Sequence, residues 1–263
     1  MGKTIIITNR KGGTGKSATA ANLGIGLARQ NKRVLIIDAD SQGSLSISLG
    51  VTEPDKLPVT LGTLMSHIIS ETENEIKPTD GIIHHAEGVD ILPANNSLAK
   101  IEIELASLLI GREIVLRRYI EIVKPLYDYV IVDTAPTLGL LTVNALAAAD
   151  NVIIPVTPKY LDAKGLELLL KTISQIKRQI NPNLTIGGIL LTMVEKRANF
   201  TKEIISLIEN AYGGKIHIFG EHIPRSIRAA ETSAYGKSIF MHDPKGKVAA
   251  AYESLAKGVS QSA

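Results

Sequence analysis

Short apolar runs alternate with longer amphipathic ones along this chain. The runs KTIIITN (3–9), RVLIID (33–38), VDILPA (89–94), YDYVIVD (127–133), NVIIPV (151–156), IGGILLTMV (186–194) and KIHIFG (215–220) predict strands. Several are apolar without interruption, the pattern of strands covered on both faces of a parallel sheet. Between them the spacing predicts helices near 16–30, 61–70, 95–106, 111–124, 138–149, 163–180, 199–212 and 246–257. Strand and helix in repeated alternation predict an α/β fold, a doubly wound and mostly parallel open sheet with helices on both faces. Ligands of such sheets sit beyond the carboxyl ends of the strands. Segment 51–88, rich in Pro, Thr and Glu around one amphipathic piece, breaks the rhythm. It reads as an irregular insertion within a single domain spanning 1–263.

Composition narrows the picture without changing it. With 263 residues and 44% apolar content the chain can bury a sizeable core. It has no cysteine, which excludes a disulfide scaffold, a thiolate zinc site and thiol chemistry, and fits a cytoplasmic setting. No apolar run reaches the roughly 18 residues of a spanning helix. The start, MGKTIIITNRKGG, reads as a buried first strand rather than a signal peptide, and Ile6 stands where a myristoylation motif needs Ser or Thr. A formal net charge of +3 is mild, so an anionic partner must be met by a local patch. With 4% aromatics and no Trp, stacking on single-stranded nucleic acid is disfavoured.

The first strand leads into NRKGGTGKSATAANL (9–23). Gly12, Gly13 and Gly15 let backbone N–H groups approach phosphate oxygens closely, and the helix beginning near Lys16 adds its positive end. In the loop pattern G-x-x-x-x-G-K-[ST], the lysine reaches the β- and γ-phosphates and the Ser or Thr hydroxyl meets Mg²⁺; here these are Lys16 and Ser17. The pattern's first glycine is replaced by Arg10, and a second lysine, Lys11, follows it. Two further strands end in acid. Asp38 and Asp40 lie two apart, on one side of the chain, where they could orient water, hold Mg²⁺ through water or cap the next helix. Asp133 closes an apolar strand, the arrangement of a carboxylate near a nucleotide's metal.

The stretch KGGTGKS (11–17) resembles the deviant phosphate loop K-G-G-x-G-K-[ST] of the ParA/MinD ATPases. DADSQG (38–43) is similar to the family's D-x-D-x-Q-G, with Ser41 where Pro is commoner, and DTAP (133–136) to its D-x-x-P. EHIPRSIRAAETSAYG (221–236) resembles its C-terminal I-P-R-x-x-R-x-x-E-x-x-x-x-G. The resemblance spans nearly the whole chain, weakest over 51–110. It implies a P-loop ATPase that uses ATP and Mg²⁺. Residues 12–15 (Gly12, Gly13, Thr14, Gly15) with Lys16, Ser17 and Ala18 would hold the phosphates. Lys11 would reach the ATP of a partner in a homodimer, Lys16 act as the ordinary loop lysine, and Asp40 set the attacking water. Ser17, Asp38 and Asp133 would serve the metal, while Thr192, Met193 and Pro224 would flank adenine.

Family members differ in what they act on. Lack of cysteine excludes the metal-cluster branch. The tail GKVAAAYESLAKGVSQSA offers Ala and Val with one Tyr and one Leu, a poor lipid-facing surface, so no stable membrane association is expected. Basic residues crowd the last third and suit sequence-independent contact with phosphates of double-stranded DNA. Arg228 matches the family's DNA-contacting position, with Arg197, Lys202 and Lys237 as further candidates. The loop begins at residue 10 with no DNA-reading module ahead of it, as in ParA/Soj-type partition ATPases. That type implies a nucleoid-associated protein stimulated by a ParB-type, centromere-binding partner. A membrane-positioning ATPase of MinD type is the competing reading.

Overall fold

The computed structural model describes residues 2–71, 76–195 and 199–261, without the side chains of 160–164 and 199. The first half runs β1 (Lys3–Ile7), α1 (Lys16–Ala28), β2 (Val34–Ala39), α2 (Ser44–Ser48), α3 (Leu61–Ile69), β3 (Ile83–His84), β4 (Asp90–Leu92), α4 (Ser97–Ser107) and α5 (Val115–Val123). The second half runs β5 (Tyr129–Thr134), α6 (Leu140–Ala148), β6 (Asn151–Val156), α7 (Tyr160–Gln179), β7 (Thr185–Leu191), α8 (Asn199–Tyr212), α9 (Ile227–Tyr235), α10 (Ile239–His242) and α11 (Lys247–Gln261).

One sheet orders these strands β3-β4-β2-β5-β1-β6-β7, and every pairing is parallel except β3 with β4. The expected doubly wound α/β architecture is present. Its cause is visible in the strands. Ile6, Leu35, Ile37, Val130 and Val132 point into one core, with α3 to α8. Their neighbours Ile5, Ile7, Val34, Ile36 and Ile131 point into the other, with α1, α10 and α11. Both side-chain sets of each central strand are buried, so no polar alternation is tolerated there.

Helix α1 lies unusually close to its neighbours. A Cβ on Gly24 would stand 2.5 Å from Ile36 Cδ1, and one on Gly26 would stand 2.9 Å from Ala256 Cβ. Larger residues would push the phosphate-loop helix off the sheet.

Two expectations need correcting. The run 215–220 is not a strand. Within it only Ile218 forms a bridge, to Ile189, although the chain accompanies β7 with bonds from Ile189 N to His217 O (2.9 Å) and Phe219 N to Ile189 O (3.0 Å). The β6–β7 register shifts beside Val152 and Ile153, at the Gly187–Gly188 pair, and a bulged partner cannot carry an unbroken ladder. Segment 51–88 holds the helix expected near 61–70 and also a short strand that was not expected. Its α3 sends Leu61, Leu64, Met65 and Ile68 into the main core, and β3 extends the sheet edge. The pattern also gave no warning of α2, α9 or α10, each of nine residues or fewer.

Candidate nucleotide site

The site is built at the carboxyl edge of the sheet. After β1, buried Asn9 pins the chain by donating from Nδ2 to Pro155 O (2.7 Å), while its Oδ1 accepts from Lys11 N (3.1 Å). The chain then swings out through exposed Lys11, Gly12 and Gly13 and returns at Thr14, whose carbonyl accepts from Thr192 Oγ1 at 2.8 Å. Gly13 (φ 71°) and Gly15 (φ 80°) hold left-handed backbone that other residues adopt only under strain. Gly15 caps α1 without any side-chain acceptor, and the first turn carries no acid. The leading N–H groups of α1 therefore face an anion cradle without a protein anion in it.

Lys16 is only 7% exposed and donates from Nζ to Lys11 O at 3.1 Å. Burial lowers its pKa, opposed by the charges of Asp133 and Asp40. Ser17 is half-buried and Ala18 exposed beside it.

The three carboxylates differ in what they are free to do. Asp38 and Asp133 are directly paired in the β2–β5 register, and both are fully buried. Asp38 is committed: Oδ2 accepts from Ser46 N (2.8 Å) and Ser46 Oγ (2.7 Å), and Oδ1 accepts from Asp40 N (3.1 Å). Burial raises its pKa to about 6 against these bonds. Neither oxygen of Asp133 has a hydrogen-bond partner among the described residues. Burial and then Asp38 raise its pKa well above the carboxylate range, while Ser17 and Lys16 nearby pull the other way. Asp40 is half-buried, with Oδ1 accepting from Gln42 N at 3.0 Å.

Buried carboxylate oxygens without partners are costly, and they fit a hydrated divalent cation. Asp133 and Ser17 are the residues here that could hold one. Asp38, expected to serve the metal, instead spends its oxygens on the turn that follows it.

Beside Gly15 and Ser17 opens a cleft of about 400 Å³. Ala18, Thr192, Met193 and Pro224, all expected from the sequence, line it together. Met193 sits at φ 52°, an uncommon backbone for a residue with a Cβ, at the point where β7 turns over the cleft. Its far walls were not foreseen: Ser44 and Ser48 of α2, Ala229 and Ser233 of α9, and Tyr252 of α11. Two of these elements had a signal: α9 lies inside IPRSIRAAETSAYG, and α11 was expected as a helix over 246–257. Mostly apolar and deep, the cleft can take a flat base while the loop holds phosphates.

Three of the basic candidates are described. Lys202 is exposed on α8, Arg228 is exposed on α9, and Lys237 stands exposed at the rim of the cleft. Arg197 lies outside the described residues.

A strand, a glycine-rich loop, a helix N-terminus with Lys and Ser, and edge carboxylates beside an apolar cleft define a P-loop nucleotide-binding protein. The pattern of an AAA domain family matches residues 2–186. The chain is 40% identical to the sporulation initiation inhibitor protein Soj of Bacillus subtilis, over 99% of each chain. It is 36% identical to the chromosome partitioning protein ParA of Myxococcus xanthus, over 98% of this chain and 87% of that one. Among solved structures it is similar to cobyrinic acid a,c-diamide synthase of Mycobacterium smegmatis with bound ADP and magnesium (TM-score 0.84, 32% identity, 99% of this chain and 95% of that one). The chain belongs to the ParA/Soj-type family of P-loop partitioning ATPases.

Proposed function

We propose that this ATPase partitions DNA through one linked equilibrium of ATP binding, pairing of two chains and sequence-independent DNA binding. The observation that carries the reading is the contrast between the loop's two lysines. Lys16 is buried within its own loop, whereas Lys11 stands on the exposed rim. An amine on the rim is suited to the triphosphate of a second copy. Nucleotide and partner then stabilise each other.

In this mechanism the N–H groups of Gly12 to Ser17 and the Lys16 ammonium bind the phosphates of ATP. Ser17 and Asp133 would hold a magnesium ion, which would supply charge neutralisation for the phosphates. Thr192, Met193 and Pro224 pack on adenine. Asp40, anchored through its own backbone, accepts a hydrogen bond from the attacking water and sets its direction. Loss of the γ-phosphate removes what Lys11 held, and the dimer opens. Pairing doubles the basic groups presented to one duplex, with Arg228, Lys202, Lys237 and Arg197 as candidates, so DNA affinity rises with ATP. A ParB-type partner speeds hydrolysis and release, and the protein works in the cytoplasm on the nucleoid.

The competing reading needs a free lipid-facing helix. Val248, Tyr252, Leu255 and Val259 of α11 are instead buried in the core shared with α1. No described helix is long and apolar enough to cross a membrane. Co-sedimentation with anionic liposomes in ATP should leave the protein in the supernatant.

The direct test is DNA affinity with ADP, ATP and a non-hydrolysable analogue over a salt series. Binding that ignores the nucleotide overturns the linkage. Asp40→Ala should accumulate as an ATP-bound dimer on DNA, seen by size-exclusion light scattering; normal turnover removes its role. Arg228→Glu should leave ATPase activity intact. In a dimer it should flatten the slope of log affinity against log salt by roughly two. An unchanged slope moves the DNA face elsewhere.

A further inference from the structure

We infer that Ser46 is a positioning residue for hydrolysis, acting through the Asp38–Asp40 turn. The inference rests on the role proposed for Asp40. Ser46 is fully buried on the short helix α2 and lies at a junction of three elements. Its backbone N–H and its hydroxyl both donate to Asp38 Oδ2, at 2.8 and 2.7 Å. The same hydroxyl oxygen accepts from Ala94 N at 3.1 Å, just beyond β4. Asp38 in turn receives Asp40 N on Oδ1 at 3.1 Å.

The consequence is a chain of constraint. The Ala94 N–H orients the Ser46 hydroxyl, the hydroxyl holds one oxygen of Asp38, and the other oxygen fixes the backbone of Asp40. Asp40 then closes its own turn, taking Gln42 N on Oδ1 at 3.0 Å and Gly43 N on its carbonyl at 2.9 Å. None of these bonds involves the phosphate loop. Removing the Ser46 hydroxyl leaves a buried Asp38 oxygen short of one donor and the Ala94 N–H without its acceptor. The turn can relieve both by shifting, and a shift of about 1 Å in a group that directs a reacting water is costly to rate. Nucleotide affinity is set by Lys16 and the loop amides, none of which is hydrogen-bonded to Ser46 among the described residues, and is spared.

The test compares Ser46→Ala, Ser46→Thr, Asp40→Ala and the Asp40→Ala/Ser46→Ala double variant, each checked for folding by circular dichroism. Single-turnover hydrolysis gives the rate, and a fluorescent ATP analogue gives the affinity. Ser46→Ala should hydrolyse roughly 10- to 100-fold more slowly, with affinity within about two-fold of the unaltered chain. Thr, which keeps the hydroxyl, should restore most of the rate, and the double variant should be no slower than Asp40→Ala alone. Should Ser46→Ala not fold, Ser46→Cys, similar in size and a weak donor, replaces it in every arm. A normal rate in Ser46→Ala beside an inactive Asp40→Ala overturns this inference alone. So does an equal loss of affinity and rate, which marks a structural residue. A normal rate in Asp40→Ala overturns the reading beneath it.

Discussion

Lys16→Ala is expected to abolish ATP binding at concentrations that saturate the unaltered chain. Lys16 is almost wholly buried and lies among Asp133, Asp40 and, through Asp133, Asp38. Acidic side chains crowd this one ammonium where a triphosphate must enter. The ammonium offsets part of their charge and donates to the phosphates directly. Truncating one member of a buried charged contact costs roughly 2–5 kcal/mol, about 30- to 5000-fold in Kd. Lys11 cannot substitute, because it stands on the rim and its backbone is tied to Asn9. Titration calorimetry with the folded variant checks the point. Affinity within ten-fold of normal would remove Lys16 from the phosphate site.

Asp133→Asn should make the nucleotide-free chain more stable at pH 8 while ending Mg²⁺-dependent hydrolysis. The physical cause is the pair of buried oxygens that accept no geometric hydrogen bond among the described residues. Burial and the facing Asp38 raise the Asp133 pKa, so the folded state holds its proton more tightly than the unfolded chain does. The linkage sign follows. Below the usual carboxylate pKa both states are protonated and no penalty exists. As pH rises through that value towards the raised folded pKa, ionisation favours unfolding, and the full penalty applies above it. Asp38 acts in the same direction over a window from the ordinary value to about 6. Asn removes the penalty at Asp133 by about 1–3 kcal/mol, which is several degrees in Tm for a chain of this size. Thermal unfolding at pH 5 and pH 8 tests this. The variant should melt higher at pH 8, and the gap should narrow at pH 5. With ATP and Mg²⁺ the order should reverse, since the unaltered chain then gains a ligand its variant cannot hold. A variant less stable than the parent at pH 8 without nucleotide would sink the assignment of Asp133 as an open, strained carboxylate.

Much of this site is readable along the chain. The loop 11–17 needs glycine where the backbone turns left-handed and Lys-Ser where the helix begins, and both requirements are met by neighbours in sequence. The strand-end acids Asp38 and Asp133 follow apolar runs that can only be buried. Thr192, Met193 and Pro224 were legible only by likeness to a family, and they do meet Gly15 and Ser17 in one cleft. What escaped has a common cause. Helices α2 and α10, of five and four residues, are too short for periodicity to register, so tertiary contacts stabilise them. The run 215–220 has strand composition, yet the bulged β7 denies it a continuous ladder.

The amino-acid sequence alone determines the parallel α/β class, the glycine-rich loop with its Lys and Ser, and which strands end in acid. Those properties depend on side-chain type, on glycine's backbone freedom and on spacing, all local. Only the tertiary structure decides which acid is spent and which is open. Asp38 and Asp133 look alike as strand-end carboxylates. One oxygen of Asp38 is held by Ser46, eight residues on, which is itself held by Ala94, 48 residues further, while among the described residues no geometric hydrogen bond reaches either oxygen of Asp133. Hydrogen-bond satisfaction depends on which chain segments arrive in the same place, and no local pattern carries that information.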